Sequence, residues 1–330
     1  MKKKIVFFGS SDFATKSLNE IIYKKYNLIA VVTNPNKPAG RGMKISKTKI
    51  KILAEKNHVK TFQPLSLNDE IFYNELKSLK PDLFIVVAFK KLPEKIWQIP
   101  ELGTFNLHAS LLPMYRGAAP INWAIINGEK ETGLTTFFIN NKIDYGNIIL
   151  QKKCEIKKNE TFGELYKKLM DLSPSIISKT IKKIFNGDIN TIKQLESKNQ
   201  IKAPKFFKKD IIIDWRQDCE KIFNFIRGFS PHPGARTILN ITNQNKEKKQ
   251  QELIITKVSN YQQIISEKAN FKNQYILFYD SNEKKIIIHN NFGKFYVDMI
   301  KIPGKKEIDA TSFGNGFLRK KENIGYYHFI

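Results

Sequence analysis

The run Leu83-Phe84-Ile85-Val86-Val87 is apolar at every position. A strand that is apolar on both faces is typical of the middle of a parallel sheet with helices on each side. Residues 4–8 form a second strand-like run, which is apolar from Ile5 onwards, and an apolar-periodic segment typical of a helix follows it. The sequence therefore predicts an α/β fold that begins with a Rossmann-like open sheet, parallel or mixed and flanked by helices. The turn at Gly9 lacks the G-x-G-x-x-G pattern, so we do not expect a bound dinucleotide.

Asn106 and His108 lie two residues apart around the end of another β-like run, residues 103–107. Side chains two apart in a strand share a face, and open α/β sheets bind their ligands at the carboxyl ends of strands. A loop with Pro113 and Gly117 follows. An amide beside a titratable imidazole is suited to polarising a carbonyl group and stabilising an oxyanion. The pattern predicts a catalytic site here.

Asp144 is the carboxylate that we expect to join this pair. It lies in a turn between two strand-like runs, residues 133–139 and 148–151. A turn between strands that end beside Asn106 and His108 would let the Asp144 side chain face them.

The C-terminal part of the sequence predicts a small OB-like β-barrel. Short β-like runs separated by turn residues are typical of such barrels, and they cover residues 235–240, 252–258, 275–279, 285–289 and 294–300. A weakly periodic, lysine-rich segment precedes them. We therefore predict a catalytic domain at residues 1–188, a linker at 189–209 and an OB-like domain at 210–330.

The helix predicted after residue 161 has a clear beginning and a less clear course. Thr161 and Glu164 form a capping-box pattern. Pro174 is expected to kink or divide the helix, because proline lacks a backbone N–H.

The positive net charge of the chain is compatible with a polyanionic partner but does not establish one. The formal net charge is +25, yet only six of the 56 basic residues are arginines. A bias towards AT-rich codons explains a surplus of lysine equally well. Cys154 and Cys219 have neither metal-ligand nor disulfide-framework spacing, and no apolar segment approaches membrane-spanning length. We expect a cytoplasmic monomer that binds no metal and no membrane.

Several motifs along nearly the whole chain resemble those of the folate-dependent formyltransferases. The first set surrounds the predicted site: Asn106-x-His108-x-Ser110-Leu111-Leu112-Pro113, Arg116-Gly117-Ala118-Ala119-Pro120 and Asp144-x-Gly146. The others are Val6-Phe7-Phe8-Gly9, Lys37-Pro38-Ala39-Gly40-Arg41-Gly42, Ala203-Pro204-Lys205 and Ile213-Asp214-Trp215. The arginine loop and the last two motifs are similar to those of the members that act on methionyl-tRNA.

The resemblance implies a reaction and a set of roles. A formyl group would pass from the co-substrate 10-formyltetrahydrofolate to the α-amine of methionyl-initiator tRNA, with no permanently bound cofactor. Catalysis would depend on Asn106, His108 and Asp144. The implied folate contacts are Ser110, Leu111, Leu112, Pro113, Val87 and Phe89, and the implied tRNA contacts are Gly40, Arg41, Gly42, Lys44 and Arg116.

Two alternative functions remain open from the sequence. The same chemistry would serve a small amine, such as an amino-sugar nucleotide or a glycinamide ribotide. That enzyme would have no obvious use for the Arg41 loop or a basic barrel. The other alternative is a noncatalytic RNA-binding module, against which the set Asn106, His108 and Asp144 argues.

Overall fold

The structure is a computed structural model that describes residues 2–39, 44–195, 200–243, 248–264, 275–280, 282–290, 292–318 and 325–329. The chain forms two compact units. The first comprises Met1–Pro120, Glu131–Glu155 and Tyr166–Pro204, and the second comprises Ile121–Lys130, Ile156–Leu165 and Lys205–Ile330. The second unit thus includes two short segments from the N-terminal half of the chain, which no sequence pattern indicated. The domain bounds at 188 and 209 stay a prediction.

The first unit is built on a mixed sheet. Its strands are β1 (Lys4–Gly9), β2 (Asn27–Val32), β3 (Lys37–Ala39), β4 (Lys44–Ser46), β5 (Lys60–Phe62), β6 (Leu83–Val87), β7 (Thr104–His108), β8 (Arg116–Gly117), β9 (Glu131–Phe138), β10 (Ile148–Glu155) and β11 (Lys202–Ala203). The main sheet has the order β10-β9-β7-β6-β1-β2-β5. Strands β7, β6, β1, β2 and β5 are parallel, and β9 is antiparallel to both of its neighbours. The predicted Rossmann-like mixed sheet is confirmed.

The α-helices are divided between the two units. They are α1 (Phe13–Tyr23), α2 (Lys49–Lys56), α3 (Glu70–Ser78), α4 (Glu94–Trp97), α5 (Pro120–Ile126), α6 (Phe162–Asn186), α7 (Cys219–Gly228) and α8 (Ala310–Phe313). A 3₁₀ turn covers Lys208–Ile211 and a π-helical turn covers Gly314–Leu318. In the part of the chain that the structure describes, every helix is too short or too polar to cross a lipid bilayer.

Strand β6 lies at the centre of the sheet between β1 and β7, as its apolar sequence predicts. All five of its residues are buried. On one face of the sheet, Val6, Phe8, Phe84 and Val86 pack with the buried side chains of α3 and α4, including Phe72 and Ile96. This packing holds the carboxyl ends of β6 and β7 side by side.

Helix α6 begins where the capping box predicts but does not divide at Pro174. The Thr161 hydroxyl accepts from the Glu164 N–H, while the Glu164 carboxylate accepts from the Thr161 N–H. The helix then runs unbroken through Pro174 to Asn186, so it does not divide there, and a kink at Pro174 stays a prediction. Proline cannot donate to the carbonyl of Met170, but the Ser173 hydroxyl donates to that oxygen at 2.8 Å and satisfies it.

The second unit contains the predicted small antiparallel barrel. Its strands are β12 (Ala235–Asn243), β13 (Lys248–Gln263), β14 (Ile276–Asp280), β15 (Lys285–Asn290), β16 (Gly293–Lys301), β17 (Ile308–Asp309) and β18 (Gly325–Phe329). The order is β13-β12-β18-β14-β15-β16-β17, and a further pairing of β13 with β16 closes the ring. Trp215 stacks on Phe329 inside the barrel core, with ring centroids 4.0 Å apart.

The two short segments are tied to α7 within the second unit. The buried guanidinium of Arg227 donates to the carbonyl of Glu160 at 2.9 Å. The Asn122 amide of α5 donates to the carbonyl of Gly228 at 2.8 Å. Burial lowers the pKa of Arg227 to about 10, and the guanidinium stays protonated at neutral pH. These bonds account for the interleaving of the two units along the sequence.

Candidate active site

Asn106 and His108 lie at the carboxyl end of β7. Asn106 pairs with Val86 of β6 on one side and with Phe137 of β9 on the other, while His108 pairs with Thr135 of β9. The His108 side chain is buried and that of Asn106 is half-buried. The residues therefore share one face of the strand, as their spacing predicts, and the Asn106 amide carries two N–H donors to it.

The orientation of His108 is set by the loop that follows β7. Its Nε2 lies 2.8 Å from the carbonyl oxygen of Tyr115. Because a carbonyl only accepts, Nε2 carries a proton and donates it to Tyr115. The backbone of Tyr115 is left-handed, with φ +61°. The remaining ring nitrogen, Nδ1, lies 3.8 Å from Oδ2 of Asp144.

Asp144 occupies the turn between β9 and β10, hereafter the Asp144 turn (residues 143–147). Its backbone is left-handed, with φ +59°, and its side chain is 11% exposed. Oδ2 accepts a hydrogen bond from the N–H of Gly117 at 3.0 Å. The structure therefore brings together His108 and Asp144, and Asn106 lies two residues before His108 on the same face of β7.

Three consecutive residues connect His108 to Asp144. The carbonyl of Tyr115 holds His108, the guanidinium of Arg116 holds the carbonyl of Asp144, and the N–H of Gly117 holds the Asp144 carboxylate. Strand β8 fixes this segment by pairing with β11. The Arg-Gly pair is thus a physical link between the imidazole and the carboxylate.

Arg116 is buried, at 6% exposure. Its guanidinium lies 3.4 Å from the centre of the Tyr145 ring. It also donates to the side-chain oxygens of Gln194 and Gln200, at 2.7 Å in each case. The sequence-based interpretation assigned Arg116 to tRNA binding. The described contacts give its guanidinium partners inside the first unit, where it supports the Asp144 turn, and the tRNA contact stays a prediction.

The loop predicted to contact folate is held from behind by β9 and β10. The Thr135 hydroxyl donates to the carbonyl of Ser110 at 2.7 Å and accepts from the N–H of Leu112 at 3.2 Å. The Gln151 amide donates to the carbonyl of Leu112 at 2.8 Å. These bonds fix the backbone on both sides of Leu111 and ahead of Pro113.

The other predicted folate residues lie at the end of β6. Val87 is buried and pairs with Leu107, which lies between Asn106 and His108 in β7. Phe89 is partly buried and packs edge-on against Phe8, with ring centroids 5.7 Å apart. Val87 and Asn106 therefore lie at the same end of two neighbouring strands. The folate contacts of both residues stay predictions.

The residues predicted to contact tRNA in the arginine loop can be placed only in part. Gly40, Arg41 and Gly42 lie outside the described residues. The backbone of Lys44 begins β4, which pairs with β3 so that Ala39 is opposite Lys44. The two strands on either side of Arg41 in the sequence are therefore an antiparallel pair.

Sequence reasoning missed the residues that support the site. Thr135 and Gln151 belong to strands, and Gln194 and Gln200 belong to the segment predicted as a linker. A buried glutamine in a weakly periodic segment carries no local signal, because its partners are distant in sequence. Among the described residues, no group of three or more His, Cys, Asp or Glu side chains could hold a metal ion.

Comparison with known proteins places this site in a family. A profile described as "Formyl transferase" matches residues 3–181, and one described as "Formyl transferase, C-terminal domain" matches residues 205–318. The methionyl-tRNA formyltransferase of Porphyromonas gingivalis is 41% identical over 96% of this chain and 97% of its own length. That of Flavobacterium johnsoniae is 43% identical over 97% of this chain and 98% of its own length.

Solved structures share the fold at lower identity. The N-formyltransferase from Helicobacter canadensis, in complex with folinic acid and dTDP-3-aminofucose, has a TM-score of 0.62 at 22% identity. The similarity covers 90% of this chain and 99% of that one. HypX from Aquifex aeolicus, in complex with tetrahydrofolic acid, has a TM-score of 0.58 at 16% identity, over 97% of this chain and 48% of that one. On the strength of both family profiles and the near full-length relatives, the chain belongs to the formyl transferase family.

Proposed function

We propose that this protein transfers the formyl group of 10-formyltetrahydrofolate to the α-amino group of methionyl-initiator tRNA. The products are N-formylmethionyl-tRNA and tetrahydrofolate. The observation that carries the proposal is the placement of the Asp144 carboxylate 3.8 Å from Nδ1 of His108. The tRNA substrate is supported by the two relatives named methionyl-tRNA formyltransferase, whose similarity to this chain extends over both units.

The reaction needs charge stabilisation rather than a covalent enzyme intermediate. The amine nitrogen attacks the formyl carbon, the C=O bond opens to an oxyanion, and the bond from carbon to the folate nitrogen then breaks. The proton that the amine loses balances the one that the leaving nitrogen gains. A free α-amine has a pKa of about 7.7–8.0, so a useful neutral fraction exists near neutral pH. The enzyme must therefore stabilise the oxyanion and move one proton.

Asn106 and His108 perform the first of these tasks. The Asn106 amide donates an N–H to the developing oxyanion. His108 has its Nε2 proton bound to Tyr115, so Nδ1 is the ring nitrogen left available for the reaction. A proton on Nδ1 makes the imidazole cationic and a second donor to the oxyanion.

Asp144 complements that positive charge. Its carboxylate lies within 4 Å of Nδ1 and is held there by the N–H of Gly117. The same pair provides a route by which a proton passes from the amine to the leaving nitrogen. Asp144 therefore orients His108 and takes part in proton transfer.

The experiment compares amine substrates in the presence of 10-formyltetrahydrofolate. We expect formylation of methionyl-initiator tRNA, and no turnover of glycinamide ribotide or a dTDP-amino sugar. The amino sugar is the competing substrate that the fold likeness to sugar N-formyltransferases favours. Turnover of a small amine with none of methionyl-tRNA would refute the proposed substrate.

Single substitutions test the residue roles. Asn106→Ala, His108→Ala and Asp144→Ala should each lose most of kcat while circular dichroism stays unchanged. Asp171→Ala is a suitable control, because this exposed carboxylate pairs with Lys16 on the surface of the first unit. If a folded variant keeps the kcat of the wild type, the residue that was replaced has no part in the mechanism.

A further inference from the structure

Gln194 is a buried side chain with a complete set of partners around the Asp144 turn. It belongs to the segment between α6 and β11 and is 8% exposed. Its Nε2 donates to two backbone carbonyls of the turn, that of Asp144 at 3.0 Å and that of Gly146 at 2.7 Å. Both amide hydrogens are thus used on the turn that carries the catalytic carboxylate.

The oxygen of the same amide binds Arg116. Oε1 accepts from Nε of Arg116 at 3.1 Å and from Nη2 at 2.7 Å. Nε of Arg116 also reaches the carbonyl of Asp144 at 3.1 Å. Carbonyls only accept hydrogen bonds and a guanidinium only donates them. The Gln194 amide must therefore point its N–H groups at the two carbonyls and its oxygen at Arg116. Gln194 therefore connects Arg116 and the Asp144 turn in a fixed geometry.

The backbone around Gln194 holds it against this turn. Two residues earlier, Ile192 and Ile148 exchange a pair of backbone hydrogen bonds of 2.8 and 2.9 Å. Ile148 is the first residue of β10 and directly follows the Asp144 turn. Ile192 thus forms an isolated β-bridge with the edge strand beside the turn.

The Asp144 turn needs such support. A left-handed conformation costs a residue with a Cβ atom roughly 1–2 kcal/mol. A Cβ atom at Gly146 would lie 1.5 Å from the carbonyl oxygen of Phe138, so the turn passes very close to β9. Hydrogen bonds from Gln194 to both sides of Tyr145 oppose relaxation of this conformation.

We propose that Gln194 is a positioning residue for formyl transfer. Its amide holds the Asp144 turn so that the carboxylate meets the N–H of Gly117 and faces Nδ1 of His108. The consequence for turnover rests on the proposed function, whereas the consequence for the turn does not. The two are therefore measured separately.

The first measurement is amide hydrogen exchange by NMR, which needs no substrate. The Gly117 N–H reports on the Asp144 carboxylate that accepts it. In Gln194→Met we expect this amide to exchange about tenfold faster, the effect of losing one or two hydrogen bonds that oppose opening. The flanking amides of Tyr115 and Ala119 are internal controls, because they donate to Ile201 and Ala203 instead. They should change less than about threefold.

The controls separate positioning from general loosening. If Gln194 merely stabilised its own segment, all three amides would accelerate together, since Ile201 lies in that segment and Ala203 in the strand β11 that directly follows it. Equal acceleration, or an unchanged Gly117 amide, would overturn the proposal.

A second variant isolates the two donors. Gln194→Glu keeps an acceptor for Arg116 but places an oxygen against the carbonyls of Asp144 and Gly146. We expect the Gly117 amide to accelerate at least as much as in Gln194→Met. This variant decides the question if Gln194→Met does not fold. Wild-type exchange in Gln194→Glu would mean that the donors are not needed.

The kinetic measurement uses the same variants. We expect kcat for methionyl-tRNA to fall about tenfold while KM for each substrate stays within about twofold, because positioning acts on the transition state rather than on binding. Gln98→Met is the matched control, since its amide donates to Glu94 of α4. A raised KM at constant kcat would overturn the positioning role. If the wild type formylates no tRNA, the proposed function fails while the exchange experiment still decides the role of Gln194.

Discussion

The imidazole of His108 and the backbone carbonyl of Tyr115 form a hydrogen bond of 2.8 Å between Nε2 and the oxygen. This bond commits one ring nitrogen to the protein and leaves Nδ1 towards Asp144. The carbonyl that accepts this bond belongs to a residue with a left-handed backbone, φ +61°. The chemistry of the imidazole therefore depends on the backbone conformation of a residue seven positions along the chain.

Asn106 should act as a donor rather than as a space-filling side chain. We expect Asn106→Ala to lower kcat by about 10²–10³-fold, the range for one lost oxyanion donor. Asn106→Asp should lower it further, because a carboxylate of the same size repels the oxyanion. The measurement is single-turnover formylation. Equal rates for the two variants would argue against an oxyanion beside residue 106. Asn57→Asp, at the end of α2, is the control.

Gly117 should tolerate no side chain, because its backbone has φ +126° and a Cβ atom would lie 2.5 Å from the carbonyl of Ala203. We expect Gly117→Ala to lower the free energy of unfolding by more than about 2 kcal/mol and to lower kcat with it. Gly187→Ala is the matched control, since Gly187 also has positive φ but no atom within 4 Å of the added Cβ among the described residues. Equal losses in urea unfolding would contradict the role of the Ala203 contact.

Arg116→Lys separates support of the Asp144 turn from tRNA binding. Lysine keeps the charge but cannot bond both glutamines and the Asp144 carbonyl at once. We expect kcat to fall about tenfold, with KM for tRNA within about twofold. The reverse pattern, a raised KM with constant kcat, would indicate a direct tRNA contact. Arg216→Lys is the control, because this arginine is exposed and pairs with Asp214.

Arg41→Lys tests whether the arginine loop reads tRNA by geometry or by charge. Guanidinium offers planar, forked donors that lysine lacks. We expect kcat/KM for methionyl-tRNA to fall by the equivalent of ~1–3 kcal/mol of transition-state stabilisation. Folate affinity and the salt dependence of tRNA binding should stay unchanged. Lys44→Gln should instead reduce the salt dependence, because it removes one positive charge. If Arg41→Lys has the kcat/KM of the wild type, Arg41 contributes only its positive charge and no specific geometry.

Cys219 should be unreactive in the folded protein. Burial raises the pKa of its thiol to about 12, so the thiolate that reacts with alkylating agents is scarce at pH 8. Reactivity should rise only as the pH approaches that value or as the protein unfolds. Mass spectrometry after iodoacetamide treatment, with and without urea, measures this. Rapid labelling of Cys219 in the native protein would contradict its burial.

Local patterns in the sequence determined a large part of this structure. The apolar run at β6 identified a central strand, because a strand buried on both faces leaves no position for a polar side chain. The Asn106 and His108 spacing identified one face of β7, because side chains alternate along a strand. The capping box at Thr161 identified the start of α6. Each of these signals depends on residues within a few positions of one another.

The tertiary structure alone decided how the site is supported. Gln194 and Asp144 are 50 residues apart, and Arg116 and Gln200 are 84 apart. Pro174 stays inside α6 because a side-chain hydroxyl satisfies the carbonyl that proline leaves open. Hydrogen bonds between distant polar side chains leave no periodicity in the sequence, because their geometry exists only once the strands and turns that carry them have packed.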